Sequence, residues 1–187
     1  MNIKKIANSL LNFAIKRLAE IFGILISLTG VMLFLALITY SPNDPNFIFP
    51  ENTKIENLMG FQGSFVSDLF FQSVGLISYL IPFTLIFTGI NILNTKDFFL
   101  FIENNFFVIL YLIFGTLFFA YYYSDTYALY INGNSGFVGD YLGQTFLKSI
   151  ILINESIFFY ILILIIIILF LISINFSPRN FLILIKK

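Results

Sequence analysis

The sequence lacks the two residue types on which most catalytic and metal sites depend. It contains no cysteine and no histidine among its 187 residues. Without them there is no disulfide, no thiolate nucleophile, no imidazole base and no zinc cluster of the usual kind. These absences exclude the most familiar catalytic arrangements, and we expect neither enzymatic activity nor a bound cofactor or metal.

Charged residues are also scarce, at 11% of the chain, whereas 59% of residues are apolar and the mean hydropathy is +0.95. A soluble domain carries about 25% charged and about 45 to 50% apolar residues. Ten basic residues balance ten acidic ones, so there is no excess positive charge with which to bind nucleic acid. The composition indicates a protein whose partner is the lipid bilayer, with no nucleic acid bound by this segment.

Four apolar runs contain no Asp, Glu, Lys or Arg, and each is long enough to cross a bilayer. They cover residues 21–40, 69–93, 106–123 and 157–174. About 20 residues of α-helix span the roughly 30 Å hydrocarbon core, and a charge at its centre costs about 2.5 to 3.5 kcal/mol. The sequence therefore predicts an all-α integral membrane protein with four transmembrane helices.

Basic residues outside the runs predict the orientation, because Lys and Arg are retained preferentially on the cytoplasmic side. Eight of the ten lie in segments that share one side, and two lie on the other. Both termini are therefore predicted to be cytoplasmic. The predicted cytoplasmic segments are residues 1–20, 94–105 and 175–187, and the predicted extracytoplasmic loops are residues 41–68 and 124–156.

The two terminal segments each carry a further pattern. Residues 1–20 combine basic residues with an apolar helical face, which predicts an amphipathic helix on the inner membrane surface; a leader whose pattern is accidental is the alternative. Ser177 and Pro178 resemble a helix start. We interpret residues 175–187 as the start of a linker or as a short tail lying on the membrane.

Small residues and a proline make predictions about the helices themselves. Gly23, Ser27 and Gly30 share one face of the first helix, where another backbone can approach closely, either within the chain or from a second copy. Pro82 lies midway through the second run and has no amide hydrogen. A kink is therefore expected there.

The predicted outer loops contain acidic residues and closely spaced glycines. The carboxylates are irregularly spaced, so we interpret them as solvated charges and not as a metal site. The glycines lack the lysine of a phosphate-binding loop, so they predict a tight, closely packed turn. The acidic residues are Asp44, Glu51, Glu56, Asp68, Asp125 and Asp140, and the glycines are Gly133, Gly136 and Gly139. Tyr40, Tyr121, Tyr122 and Tyr123, at the outer helix ends, are interpreted as interface anchors.

One stretch is more specific than composition. The letters TYSPNDPNF directly follow the first run, and GFQG and GLISYLIP come after them. Twelve residues in this region form the pattern: Ser41, Pro42, Asn43, Asp44, Pro45, Gly60, Gly63, Asp68, Gly75, Tyr79, Pro82 and Gly89. It resembles the N-terminal four-helix transmembrane (4TM) domain of the FtsK family of bacterial DNA translocases, most closely over residues 18–93.

The resemblance implies a membrane anchor in the bacterial cytoplasmic (inner) membrane. Its implied role is to localise a DNA translocase to the division septum and to link cell division to chromosome segregation, without the ATPase motor. The implied partners are other cell-division membrane proteins and further copies of the chain in a homo-oligomer. A small transporter or channel subunit is the alternative. It would need a polar path through the helices, which contain scattered polar residues such as Gln72, Ser73, Thr84 and Asn91.

Overall fold

The computed structural model describes residues 3–45, 54–123, 133–145 and 154–177, with only the backbone described for residues 3–6. Every regular element within these ranges is helical, and none is a strand. Four helical stretches of the described chain are long and apolar enough to cross a membrane. The predicted all-α, four-helix class is confirmed, and the side on which the termini lie stays a prediction.

The helices of the described chain form one bundle. In chain order the elements are α1 (Ile3–Ile38), α2 (Gly60–Val74), a 3-10 segment (Gly75–Tyr79), α3 (Leu80–Thr95), α4 (Phe99–Tyr122), α5 (Gly136–Gly143) and α6 (Glu155–Ser173). The long helices pack as two pairs: α1 packs mainly on α3, α4 packs mainly on α6, and α3 also contacts α4. The shorter α2 and α5 contact each other as well as the long helices.

The bundle has two ends. We call one the basic end, because Arg17 and Lys96 lie there, and the other the loop end, because α1 ends and α6 begins there. At the basic end, Glu20 of α1 forms a salt bridge of 2.9 Å with Lys96, just after α3. At the loop end, the Tyr79 hydroxyl donates to the Leu37 carbonyl oxygen at 3.4 Å, near the end of α1. The Tyr122 hydroxyl donates at 2.8 Å to the carbonyl oxygen of Glu155, where α6 begins.

The first helix is a single element. We predicted a surface helix over residues 1–20 and a separate span from residue 21, but α1 runs unbroken for 36 residues. No proline lies within it, and its first glycine is Gly23, so nothing in the sequence ends the helix earlier. At 1.5 Å per residue its length is about 54 Å, which exceeds the roughly 30 Å hydrocarbon core. Its N-terminal turns therefore extend beyond the basic end.

The second predicted run is divided into two helices. Residues 69–74 belong to α2, and the 3-10 segment separates them from α3. The chain turns at Gly75, whose φ of 69° lies in the left-handed region. Pro82 is the third residue of α3, so its missing amide falls in the first turn, where no intrahelical partner exists. The break therefore lies at Gly75, upstream of Pro82, and not at Pro82 where the kink is predicted.

The last two spanning helices begin earlier than their predicted runs. α4 begins at Phe99 and not at residue 106, so Asn104 lies inside the helix instead of in a loop. α6 begins at Glu155, where the Asn154 side chain caps the helix by accepting from the Ile157 amide at 3.3 Å.

A compact apolar core lies where α1, α2, the 3-10 segment, α3 and α4 meet. Outside this core, large apolar side chains are exposed along α1, α4 and α6. Extended apolar surface of this kind is rare on soluble proteins and matches a lipid environment. The buried members of the core are Leu33, Leu37, Phe71, Ile77, Ile81, Val108 and Tyr111.

Candidate functional site

The twelve residues of the family-like pattern fall into two regions of the bundle. Most lie at the loop end, on the segment after α1, on α2 and on the 3-10 segment. Pro82 and Gly89 lie on α3, facing α1. Most positions of the pattern are therefore packing or turn positions, and each group has its own geometry.

Asp44 fastens the segment after α1 to the start of α2. Its carboxylate oxygens accept from the backbone amides of Glu56 at 2.8 Å and Asn57 at 2.9 Å, and only 2% of the residue is exposed. The interpretation of Asp44 as a solvated charge was wrong. A buried carboxylate is stabilised by such charge-assisted hydrogen bonds.

Asn57, which the sequence pattern did not single out, ties the same segment to α1. Its side-chain amide donates to the carbonyl oxygens of Ala36 at 2.9 Å and Thr39 at 3.2 Å, both at the end of α1. These carbonyls have no intrahelical partner, so Asn57 acts as a cap from outside the helix. A Cβ on Gly63 would collide with the Asn57 side chain, which explains the glycine there.

The remaining loop-end residues of the pattern have distinct roles. The Ser41 carbonyl accepts from the Asp44 amide at 3.2 Å, which closes a turn over Pro42 and the exposed Asn43. The buried Pro45 offers its carbonyl to the Ser64 hydroxyl at 2.8 Å. Gly60 begins α2 with a φ of 66°, in the left-handed region that favours glycine.

Tyr40 and Asp68 connect the residues after α1 to α2. The Tyr40 hydroxyl donates to Asp68 Oδ1 at 3.0 Å, and Gln72 donates to the same oxygen at 3.4 Å. Burial raises the pKa of Tyr40 above its ordinary value, and the negative charge of Asp68 raises it further. The hydroxyl therefore stays protonated and remains a donor.

Gly75 contacts the segment at the start of α5. The amide of Leu76 donates to the Asn134 carbonyl at 2.9 Å, and a Cβ on Gly75 would collide with that same carbonyl oxygen. Gly136 has a φ of 64°, and its Cα lies against the backbone of Val74 and Gly75. The predicted close-packed turn is confirmed, and its packing partner is the end of α2.

The face formed by Gly23, Ser27 and Gly30 packs against α3 of the same chain. A Cβ on Gly23 would come within 2.8 Å of the Gly89 carbonyl oxygen. A Cβ on Gly30 would come within 2.9 Å of the Pro82 carbonyl oxygen, and the Ser27 hydroxyl donates to the Ile86 carbonyl at 3.3 Å. The predicted contact face is confirmed as an intramolecular one. It allows the two backbones to approach closely.

A buried polar cluster joins α3, α4 and the end of α6, and sequence reasoning missed it. The Thr84 hydroxyl lies 3.0 Å from the Ser173 hydroxyl and 3.3 Å from that of Tyr111. Asn104, fully buried, donates to Thr88 at 2.7 Å and to Asn175 at 3.0 Å. These residues are scattered in sequence and meet only when the three helices pack, so no local signal could identify the cluster.

The acidic residues do not form a metal-binding arrangement in the part of the chain that the structure describes. No three carboxylates gather there. Asp140 accepts from the Ser135 hydroxyl at 2.8 Å, while Glu51 and Asp125 lie outside the described residues. The contacts at the loop end fix backbone segments together, and their chemistry is that of structural hydrogen bonding.

The comparison with protein families identifies the chain. A family model described as the 4TM region of DNA translocase FtsK/SpoIIIE matches residues 15–185. The chain belongs to this family. The match includes both regions of the pattern, and the family predicted from the sequence is confirmed.

A similar protein is the DNA translocase FtsK of Vibrio vulnificus (strain CMCP6), which is 36% identical over 83 residues. The aligned part is 44% of this chain and 8% of the relative, so the FtsK 4TM chain matches only a small part of that protein. No solved structure matches the chain.

Membership of the FtsK 4TM family, together with four long apolar helices, makes the chain a multi-pass protein of the inner membrane. The family corresponds to the membrane part of the translocase and not to its ATPase motor.

Proposed function

We propose that this chain is the membrane-anchoring domain of an FtsK-type DNA translocase, that it resides at the division septum, and that it links cell division to chromosome segregation. The observation that carries the proposal is the family match over residues 15–185, which extends from α1 to beyond α6.

The geometry supports an anchor whose two ends serve different roles. α1 extends beyond the basic end, and α6 ends there beside α3, where Asn91 donates to the Ile174 carbonyl at 3.2 Å. Chain that continues from α6 therefore leaves on the side from which α1 begins. With that side cytoplasmic, as the basic residues predict, a motor joined to it shares a compartment with DNA and ATP.

The loop end offers the surface for the proposed partners. Leu58 is 71% exposed and Phe61 is 44% exposed beside the Asp44 contacts. Phe137 and Tyr141 stack on the outer side of α5, with ring centroids 6.5 Å apart. We propose that other cell-division membrane proteins contact this end, as the family implies, and that copies of the chain associate in the membrane.

Localisation of a fluorescent fusion tests the proposal. We expect the fusion to concentrate at the septum of dividing cells, and we expect Asp44→Ala to weaken this enrichment at unchanged expression, because it releases the loop-end surface. Asn43→Ala is the matched control, since Asn43 is the exposed neighbour. A uniform distribution of the unmutated fusion around the membrane would contradict septal anchoring.

The transporter alternative requires a continuous polar path. Polar side chains gather around Asn104 toward the basic end and bond one another, whereas Phe71, Ile77 and Ile81 form an apolar core nearer the loop end. This arrangement supports an anchor. Substrate uptake by vesicles reconstituted with the chain would favour the transporter instead.

A further inference from the structure

The end of α6 has a capping geometry that usually requires glycine. Asn175 has a φ of 52°, its amide donates to the Ile172 carbonyl at 2.9 Å, and the Phe176 amide donates to the Leu171 carbonyl at 2.9 Å. This pair of hydrogen bonds defines a Schellman motif, in which the left-handed residue is most often glycine and sometimes asparagine. Asparagine tolerates the conformation, but the backbone alone does not explain its presence there.

The Asn175 side chain supplies the explanation. Its Oδ1 accepts from two side-chain amides, that of Asn104 on α4 at 3.0 Å and that of Asn91 on α3 at 3.3 Å. Near the last turn of α6, the buried Ser173 bonds Thr84 of α3. We call the set Asn91, Asn104, Ser173 and Asn175 the polar clamp.

The rest of α6 packs mainly on α4, and α6 contacts α3 at few positions. Within this fully described helix only Leu162 and Ser173 are buried. Its exposed faces are apolar, so in a bilayer van der Waals packing and interhelical hydrogen bonds, and not hydrophobic burial, hold it to its neighbours. At the end from which the chain continues, the clamp supplies those hydrogen bonds and is the attachment of α6 to α3.

We propose that Asn175 is a positioning residue that fixes the end of α6 to α3 and α4, so that the polar clamp bears force applied to the chain beyond α6. The source of that force, a motor acting on the chain, rests on the proposed function. The attachment itself rests only on the geometry.

Single-molecule extraction from a bilayer tests the attachment. The full chain is reconstituted in vesicles, pulled by its C-terminus at constant force, and the rate at which α6 is extracted is recorded. Asn175→Gly keeps the left-handed backbone and removes the acceptor, so we expect extraction about threefold to tenfold faster than in the unmutated chain, as two lost membrane hydrogen bonds imply. Glycine is also less polar than asparagine, so easier transfer from lipid to water cannot produce this acceleration.

Two further variants and a control make the result specific. Asn175→Asp retains an oxygen that accepts from both amides, so its extraction rate should stay near that of the unmutated chain. Asn91→Ala removes a donor from the opposite side and should accelerate extraction as Asn175→Gly does. Ile168→Leu, at a lipid-exposed position on α6, preserves hydrophobicity and should have no effect.

An unchanged rate in both Asn175→Gly and Asn91→Ala would overturn the clamp, and so would an Asn175→Asp rate as high as that of Asn175→Gly. The proposed function fails by a different observation, the absence of septal enrichment, which these extraction rates do not affect.

Discussion

Gly136 lies against Gly75, and a Cβ on Gly136 would come within 2.6 Å of the Gly75 amide nitrogen. Both residues have positive φ, 64° and 69° respectively. Through this contact the start of α5 holds the junction between α2 and the 3-10 segment in place. The loop end of the bundle therefore depends on two glycines that are far apart in the sequence.

Gly136→Ala is expected to reduce the free energy of unfolding by more than the backbone cost of an alanine with a positive φ, because the new Cβ also collides with Gly75. Alanine in the left-handed region costs about 1 to 2 kcal/mol, and overpacking adds about 1 to 3 kcal/mol. Reversible unfolding in detergent, followed by circular dichroism, measures the change. Gly60→Ala is the matched control, because Gly60 has a φ of 66° and a Cβ added there would meet no neighbouring atom within 4 Å. Equal losses for the two variants would show that the Gly75 contact contributes nothing.

Asp44→Ala is expected to reduce the free energy of unfolding by about 2 to 4 kcal/mol, because two backbone amides lose a charged acceptor. Asp44→Asn keeps one acceptor oxygen and should lose less. The same unfolding assay checks both variants. Asn43→Ala should change stability by no more than about 0.5 kcal/mol, since that side chain is exposed. A loss no larger for Asp44→Ala than for Asn43→Ala would refute the fastening role of the carboxylate.

Gly89→Ala is expected to separate α1 from α3 at their closest approach. The added Cβ would meet the Ser27 hydroxyl and the Gly23 carbonyl oxygen, and overpacking of this kind costs about 1 to 3 kcal/mol. Ile90→Val is the control on the adjacent exposed position. Thermal unfolding should show a clearly lower transition temperature for Gly89→Ala than for Ile90→Val. Equal transition temperatures would contradict close packing of α1 on α3 at Gly89.

Local pattern was sufficient for the features that depend on helix periodicity. The charge-free runs predicted four spanning helices because burial in lipid selects apolar residues over a fixed length. The spacing of Gly23, Ser27 and Gly30 predicted a contact face because residues three and four apart share a side of a helix. Periodicity did not identify α3 as the partner, since that choice depends on the packing of the whole bundle.

Features that depend on distant contacts were not accessible from the sequence. The apolar run through residues 69–93 gave no sign of a break at Gly75, because the break is fixed by Asn134 and Gly136 of a later loop. Asp44 was interpreted as solvated because its partners are backbone amides, which carry no residue-type signal. Asn104 falls in a predicted loop because a polar residue interrupts the apolar run, and the partners that bury it, Thr88 and Asn175, are distant in sequence.

The central claim is that the bundle crosses the inner membrane with its basic end in the cytoplasm and its loop end outside. Because the chain has no cysteine, single cysteines can report accessibility directly. Lys54 and Asp140 are exposed toward the loop end, and Asn94 and Glu103 are exposed toward the basic end. In spheroplasts, a membrane-impermeant maleimide should label Lys54→Cys and Asp140→Cys, whereas Asn94→Cys and Glu103→Cys should react only after lysis. Labelling of the second pair alone in intact spheroplasts would invert the orientation and contradict the account.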